Sequence, residues 1–372
     1  MKTQVHTLLP DMPGTQQQLL SLHYGQPGRG PKAMIQASLH ADEVPAMLVA
    51  RHLREKLQAL EDAGRIRGEI VLVPAANPIG LQQWLLRGMQ GRFEQRSGEN
   101  FNRHYADLAD AVAQRVEGRL RSDARHNVDL VRAALRDAVA ELPAANSLAH
   151  LRKTLLGLAI DADIVLDLHC DGEAMLHLYT AESLWPDAAL LARCLGCELA
   201  LLADASGDNP FDEACSMVWA QLAARFGDRY PLPLACLAAT VELRGEADVR
   251  HELAERDATG IVHYLAERGV IDGPVLQLPA IDCRALPLSG SMPLEAPHGG
   301  VLVFLREAGT RVRAGDRLAE VIDPFSGECS AILAPVDGLF FARENKRLVV
   351  AGMRLGKVAG EQALRSGKLL SA

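Results

Sequence analysis

The order of apolar runs in this chain predicts an α/β fold: a mixed, largely parallel sheet flanked by helices, followed by a small C-terminal β unit. Two observations carry that prediction. Between residues 32 and 270, short apolar runs of strand length alternate with longer segments of helical spacing, the pattern of a sheet with crossover helices. After Gly273 the alternation stops. Short runs are then broken by turn signals at Gly299-Gly300, Ala314-Gly315-Asp316, Asp323-Pro324, Ser326-Gly327 and Asp337-Gly338, as in a compact all-β unit. A boundary after residue 273 divides the 372 residues into an α/β part, 1–273, and a β part, 274–372, each of ordinary domain size.

The elements follow in order. Residues 33–37 read as a first strand, short and β-compatible. The stretch 44–60 places Val44, Leu48, Val49, Leu53, Leu57 and Leu60 at near-helical spacing, and Gly64 and Gly68 break it. Residues 69–73 form a second strand, closed by Pro74 and Pro78. A polar, glycine-bearing loop runs from 88 to 102. Residues 107–142 and 147–158 are rich in Ala, Leu, Arg and Asp and predict a helical insertion over about 107–158. Residues 163–168 have the continuous apolar character of a buried strand. Further alternation leads to a strand over 240–243 and a helix over 250–268.

Composition narrows the function classes. Apolar residues make up 48% and charged residues 23%, which excludes a disordered or collagen-like chain. With 39 basic and 47 acidic residues the formal charge is −8, which argues against a nucleic-acid partner. No run approaches the ~18 uncharged apolar residues of a membrane span, and the first residues lack the apolar core of a signal peptide. The expectation is a soluble cytoplasmic protein without a membrane or nucleic-acid partner. The seven cysteines are scattered and fit reduced thiols. Cys194-x-x-Cys197 lies in an apolar segment with no second pair and no nearby His, so burial describes it better than zinc or redox chemistry.

Sites in parallel sheets form beyond the carboxyl ends of strands, and three polar groups fall there: His40, His169 and Glu242. His40-Ala41-Asp42-Glu43 ends the first strand and begins the first helix. Its His and Glu, three apart, can face one way on a helical turn. An imidazole and a carboxylate are both zinc ligands, and a catalytic zinc needs a third protein ligand and an open position. The pair alone also fits a solvated helix start with acids near its positive end. His169 follows the buried strand and is the candidate third ligand; His177, between Leu176 and Leu178, fits a core or sheet-face position instead. Glu242 follows an apolar run, where an unpaired carboxylate is costly unless it moves a proton for an activated water. An edge position facing solvent, or a pair with Arg244, is the alternative. The loop motif Asn100-Phe101-Asn102-Arg103, with Arg92 and Arg96 nearby, supplies guanidinium groups that suit a carboxylate or an oxyanion.

Taken together and in order, these motifs resemble the succinylglutamate desuccinylase/aspartoacylase family, a branch of the zinc carboxypeptidase-like superfamily. The match runs through H-x-x-E (His40, Glu43), Asn77-Pro78, Arg92-Phe93, Asn102-Arg103, Asp167-Leu168-His169 and the late Glu242, covering roughly residues 30–270. The resemblance implies one Zn²⁺ per chain, held by His40, Glu43 and His169, with Glu242 as general base and acid. It gives Asn102 and Arg103 the substrate carboxylate and Arg92 the scissile carbonyl. The loop after Arg92 is longer than in short family members, so Arg96 is an alternative to Arg92. Two positions depart from the family pattern. Ala41-Asp42 stands where Gly-Asn is frequent, and Asn100 stands where an acid usually orients a ligand His.

The implied function is a zinc-dependent amide hydrolase, a deacylase acting on a small N-acylated amino acid or related compound, with a small molecule as its partner. The same residues would serve a metallocarboxypeptidase on short peptides. A non-catalytic carboxylate-binding protein would have no use for Glu242. The helical insertion could cover the site or form a homo-oligomer surface. The C-terminal part resembles a biotinyl/lipoyl-type β-barrel sandwich, through Ala308-Gly309-Thr310-Arg311-Val312-Arg313-Ala314-Gly315-Asp316 and Ala334-Pro335-Val336-Asp337-Gly338. Its expected hairpin tip, 323–328, has no Lys. The expectation is therefore a unit that narrows access to the cleft and carries no covalent cofactor.

Overall fold

The computed structural model describes residues 1–273 and 283–370. The chain opens with two antiparallel strands that the sequence reading passes over, β1 (Lys2–Thr7) and β2 (Gln18–Gly25). β1 is largely solvent-facing and polar, so it lacks an apolar signature. β2 does carry one, with Leu20, Leu22 and Tyr24 at period two. β3 (Lys32–Ala37), α1 (Pro45–Asp62) and β4 (Glu69–Val73) follow closely as predicted. Pro45 starts α1, where its missing N–H would have had no partner anyway. A two-residue-per-strand hairpin, β5 (Trp84–Leu85) and β6 (Gly88–Met89), stands in the polar loop.

The helical insertion is three helices, α2 (Ala109–Val116), α3 (Ala124–Glu141) and α4 (Ser147–Ala159). The predicted stretch 107–142 breaks because Gly118 takes a φ of +72° and Asp123 accepts from the amides of Arg125 and His126 to cap α3, satisfying donors a helix start leaves open.

The remaining α/β elements are β7 (Ile164–Asp171), β8 (Glu173–Ala174), β9 (His177–Thr180), α5 (Trp185–Leu195), β10 (Leu199–Leu202), α6 (Phe211–Phe226), β11 (Leu237–Gly245), α7 (His251–Glu267) and β12 (Arg284–Pro287). The large sheet runs β1-β2-β4-β3-β7-β11-β9-β10-β12. It is parallel from β4 through β3 and β7 to β11, and again from β9 through β10 to β12. β11 meets β9 antiparallel. One apolar core, including Leu135, Leu151 and Trp219, lies against α2, α3, α4 and α6. The other, including Leu53, Leu191 and Tyr264, lies against α1, α5 and α7.

The β unit contains β13 (Ser291–Glu295), β14 (Gly300–Phe304), β15 (Thr310–Val312), β16 (Arg317–Ile322), β17 (Cys329–Leu333), β18 (Gly338–Arg343), β19 (Leu348–Val349) and β20 (Arg354–Ala359). Two antiparallel sheets, β13-β20-β18-β15 and β17-β16-β14-β19, enclose Leu302, Leu318, Val321, Phe340 and Leu355. The β16–β17 hairpin tip is 323–328 as expected, with Phe325 98% exposed. The two parts exchange strands: β8 pairs with β18, and β12 joins the large sheet beside β10. The predicted boundary after 273 borders residues 274–282, which lie outside the described residues.

Polar contacts hold the β unit over the carboxyl ends of the large sheet. Lys357 Nζ lies 2.5 Å from Asp171 Oδ2, and Asn345 Nδ2 donates to Glu246 Oε2 at 2.6 Å. Lys368 Nζ lies 2.8 Å from Asp208 Oδ1. Among the described residues no helix is long and apolar enough to cross a membrane. The seven cysteines are free. Cys197 is buried, its Sγ 3.2 Å from Leu199 O.

Candidate active site

The H-x-x-E motif sits in a turn between β3 and α1, just ahead of the predicted helix start. Glu43 N donates to His40 O, so the turn itself brings the two side chains to one side. Neighbouring groups pin this turn. Ser38, at φ +55°, donates from Oγ to Glu43 O at 2.8 Å. Asn77 donates from Nδ2 to Leu39 O and accepts from Gly80 N, both at 2.8 Å; this is the role of the Asn-Pro motif. Gly91 has to be glycine, because a Cβ there would lie 2.2 Å from Asp42 N. The 88–102 loop can thereby press against the turn.

His40, Glu43 and His169 are buried, and their ligand atoms lie within 4.8 Å of one another. His169 lies inside β7, which runs three residues beyond its predicted end. His40 Nδ1 is 2.7 Å from Glu43 Oε1, and His169 Nδ1 is 2.7 Å from Glu43 Oε2. The opposite ring nitrogens have their own partners. His40 Nε2 donates to Asn100 Oδ1 at 2.8 Å, and His169 Nε2 lies 2.9 Å from Asp167 Oδ2. Such outer contacts fix ring orientation and leave Nδ1 facing the cluster.

The electrostatics follow from this packing. Burial, helped by Arg92, pushes His40 down to about 4. Burial works against charge on His169 and Glu43 as well, but their partners outweigh it. Asp167 and Glu43 hold His169 well above its ordinary value, and His40 and His169 hold Glu43 well below the usual carboxylate range. His40 is thus held neutral, while His169 and Glu43 are held as an ion pair. Two imidazole nitrogens and a carboxylate, each oriented, are a donor set that fits zinc.

Glu242 stands on β11 directly across the parallel pairing from His169. Its Oε2 is buried without a hydrogen-bond partner among the described residues. Burial first, and the Glu43 charge second, push its carboxyl up to about 8. The pair with Arg244 does not form: Arg244, at φ +70° after a register shift, turns to Asp257.

The arginines separate. Arg92 Nη1 lies 3.2 Å from both Glu43 Oε1 and His40 Nδ1, with a side chain 38% exposed. Arg103 is buried, lines the cleft, and donates from Nη1 to Asn102 O at 2.6 Å. Asn102 accepts from Phe211 N at 2.9 Å through Oδ1, and its Nδ2 lies 3.4 Å from His169 Nε2. Arg96 does not join them. It is 56% exposed, pairs with Asp11 and Glu94, and is absent from the cleft lining. This corrects the expectation that it could stand in for Arg92.

His40, Glu43, His169, Glu242, Arg92, Asn102 and Arg103 line one cleft of about 1120 Å³, and Arg96 does not. The β unit contributes Arg343, Asn345, Arg354 and Lys357 to its walls. Several residues of the site escaped the sequence reading. Asp167 entered it only as part of a motif; its contact with His169, two positions along the same strand, depends on local geometry. Arg152 on α4 donates to Asn100 O at 2.9 Å, which gives the helical insertion a share in positioning the loop. Asp212 and Glu213, the second and third residues of α6, also line the cleft.

Known proteins are similar to this chain in sequence and fold. The family model for the succinylglutamate desuccinylase/aspartoacylase catalytic domain matches residues 29–268. No curated protein matches this chain. A solved structure of a succinylglutamate desuccinylase/aspartoacylase family protein from Shewanella amazonensis is 28% identical, with a TM-score of 0.86 over 96% of this chain and 98% of that one. Another, from Shewanella frigidimarina, is 25% identical, with a TM-score of 0.84 over 96% of each chain. The product-bound ectoine utilization protein EutE (DoeB) from Ruegeria pomeroyi shares the fold, at 15% identity and a TM-score of 0.66 over 96% of this chain and 94% of that one. With the family model spanning most of the large sheet and the buried His-Glu-His cluster, this chain belongs to the succinylglutamate desuccinylase/aspartoacylase family.

Proposed function

We propose that this protein is a zinc-dependent amide hydrolase, a deacylase that acts on a small N-acylated amino acid or related compound. The observation that carries the reading is the juxtaposition of the His40-Glu43-His169 cluster with Glu242, a buried carboxylate one strand away. Members of the family are deacylase hydrolases. Zinc held by His40, Glu43 and His169 would act as a Lewis acid, polarising the acyl carbonyl and lowering the pKa of water.

The chain's own groups do the rest. Glu242 takes a proton from the attacking water and returns it to the leaving nitrogen, so that the C–N bond breaks to a carboxylate and a free amine. Arg92, beside the cluster, places a guanidinium where charge develops on the carbonyl oxygen. Arg103 offers a planar fork to a substrate carboxylate, and Asn102 Nδ2 adds a donor on the same wall. The β unit and Leu370 wall the cleft, which favours a small substrate over an extended peptide. The test is release of free amine from a panel of N-acetyl and N-succinyl amino acids by the zinc-loaded protein. Turnover of at least one supports the reading; a zinc-loaded protein that releases no amine from any of them contradicts it.

A further inference from the structure

His169 lies between two carboxylates, with Nδ1 2.7 Å from Glu43 Oε2 and Nε2 2.9 Å from Asp167 Oδ2, so both of its ring nitrogens donate. Glu43 Oε2 also accepts from Cys170 N at 3.1 Å. The other half of the cluster is different. His40 uses its N–H on Asn100, through Nε2, and burial keeps the ring neutral. Its Nδ1 therefore carries a lone pair. That lone pair is 2.7 Å from Glu43 Oε1, and two bare acceptors at this distance repel unless a donor reaches both. Among the described residues Arg92 supplies the donor. Its Nη1 stands 3.2 Å from His40 Nδ1 and 3.2 Å from Glu43 Oε1.

A neutral imidazole has one acceptor nitrogen, with one lone pair in the ring plane. That lone pair can accept from an arginine N–H or bind an ion, and not both at once. Zinc takes an imidazole nitrogen at about 2.0–2.1 Å, so the guanidinium has to leave His40 Nδ1 before that atom can become a ligand. Little holds it elsewhere. The Arg92 side chain is 38% exposed and lines the cleft, and among the described residues its one ion pair is with Glu43.

We infer that Arg92 competes with the metal: its guanidinium holds His40 Nδ1 and Glu43 Oε1, and zinc binds by displacing it. The inference rests on the zinc site of the deacylase reading and deepens it. The guanidinium so released is the one that reading gives to the carbonyl oxygen. Loading the metal and freeing the oxyanion donor are then one event.

The test uses chelator-stripped protein and zinc alone. Arg92→Met removes the hydrogen bonds and the charge. Its zinc affinity, by chelator competition, should rise by about 10–100-fold, the scale of a hydrogen bond to a charged group lost from the competing state. Urea unfolding separates displacement from simple repulsion between two cations. Displacement requires Arg92→Met to lower the midpoint of the stripped protein and not that of the zinc-saturated protein. A rise in affinity with the stripped midpoint unchanged means repulsion alone and overturns the proposal. Arg96→Ala makes the same charge change away from the ligand atoms and should leave zinc affinity within about twofold; an equal rise there overturns the proposal too. On the native chain, phenylglyoxal labelling of Arg92, read by peptide mass spectrometry, should increase when zinc is added. Labelling that stays the same or falls contradicts displacement, and this arm needs no variant. Zinc bound by Arg92→Met no more tightly than by the native protein overturns the proposal and leaves the deacylase reading intact. Zinc bound by neither protein contradicts both.

Discussion

His40 donates from Nε2 to Asn100 Oδ1 across 2.8 Å, and the same oxygen accepts from Asn102 N at 2.8 Å. One amide oxygen therefore orients a ligand ring and fixes the backbone that carries Asn102 and Arg103. Asn100 Nδ2 is buried without a hydrogen-bond partner among the described residues. Asn100→Ala should weaken zinc binding by about 10–100-fold, measured by chelator competition. Asn100→Asp, which removes the orphan donor and makes the acceptor anionic, should bind zinc at least as tightly as the native protein. Unchanged affinity in Asn100→Ala would show that the contact has no part in holding the ring.

Metal binding should be coupled to protons at His169. Burial opposes its charge, but Asp167 and Glu43 hold its pKa well above 6.5, so the metal-free cluster keeps a proton that the ion must displace. Zinc affinity should therefore fall by about tenfold per pH unit below the raised His169 value and level off above it. His40, pushed down to about 4, is already neutral and adds nothing to this slope. Chelator competition between about pH 6 and about pH 8 reads the effect, and a flat profile would contradict it.

Arg92 and Arg96 should behave differently despite their proximity in sequence. Arg92→Ala should lower kcat by about 10²–10³-fold, the scale for losing one oxyanion donor. Arg96→Ala, which removes a 56% exposed guanidinium that does not line the cleft, should leave kcat and KM within about twofold. Steady-state kinetics on the two variants settle the assignment. A larger loss in Arg96→Ala would reverse it.

The contact between Lys357 on β20 and Asp171 on β7 should couple the β unit to the catalytic sheet. Lys357→Met leaves the Asp171 carboxylate in a largely buried place without its counter-charge. Unfolding should lose about 2 kcal/mol, below the figure for a fully buried pair because both side chains retain some exposure. The double variant Lys357→Met/Asp171→Asn should cost less than the sum of the two singles. Additive losses in urea unfolding would mean that the two groups do not interact.

The strands at 33–37, 69–73 and 163–168 were legible because each is buried on both faces and reads as a continuous apolar run. Glu242 was legible for the opposite reason, as a carboxylate where an apolar run leaves no room for solvent. His40 and Glu43 were legible from spacing, although a turn held by Ser38 and Asn77, and not a helical turn, brings them together. What stayed hidden depends on distant partners. β12 joins the large sheet through its pairing with Leu199–Leu202. Arg96 is turned away by Asp11, from the loop after β1. The contact of Leu369 N with Ser206 O joins two distant segments at the cleft wall, and no local pattern in either segment announces the other.

The central claim is that Glu242 moves the proton in a hydrolytic reaction, and Glu242→Gln tests it most directly. The change is nearly isosteric, so fold, zinc stoichiometry and substrate binding should be retained, while the amide cannot accept the proton. The account predicts a fall in kcat of about 10²–10⁴-fold, measured on zinc-loaded protein with the best substrate of the N-acyl panel. Near-native turnover by zinc-loaded Glu242→Gln would contradict the account and leave the cluster without its base.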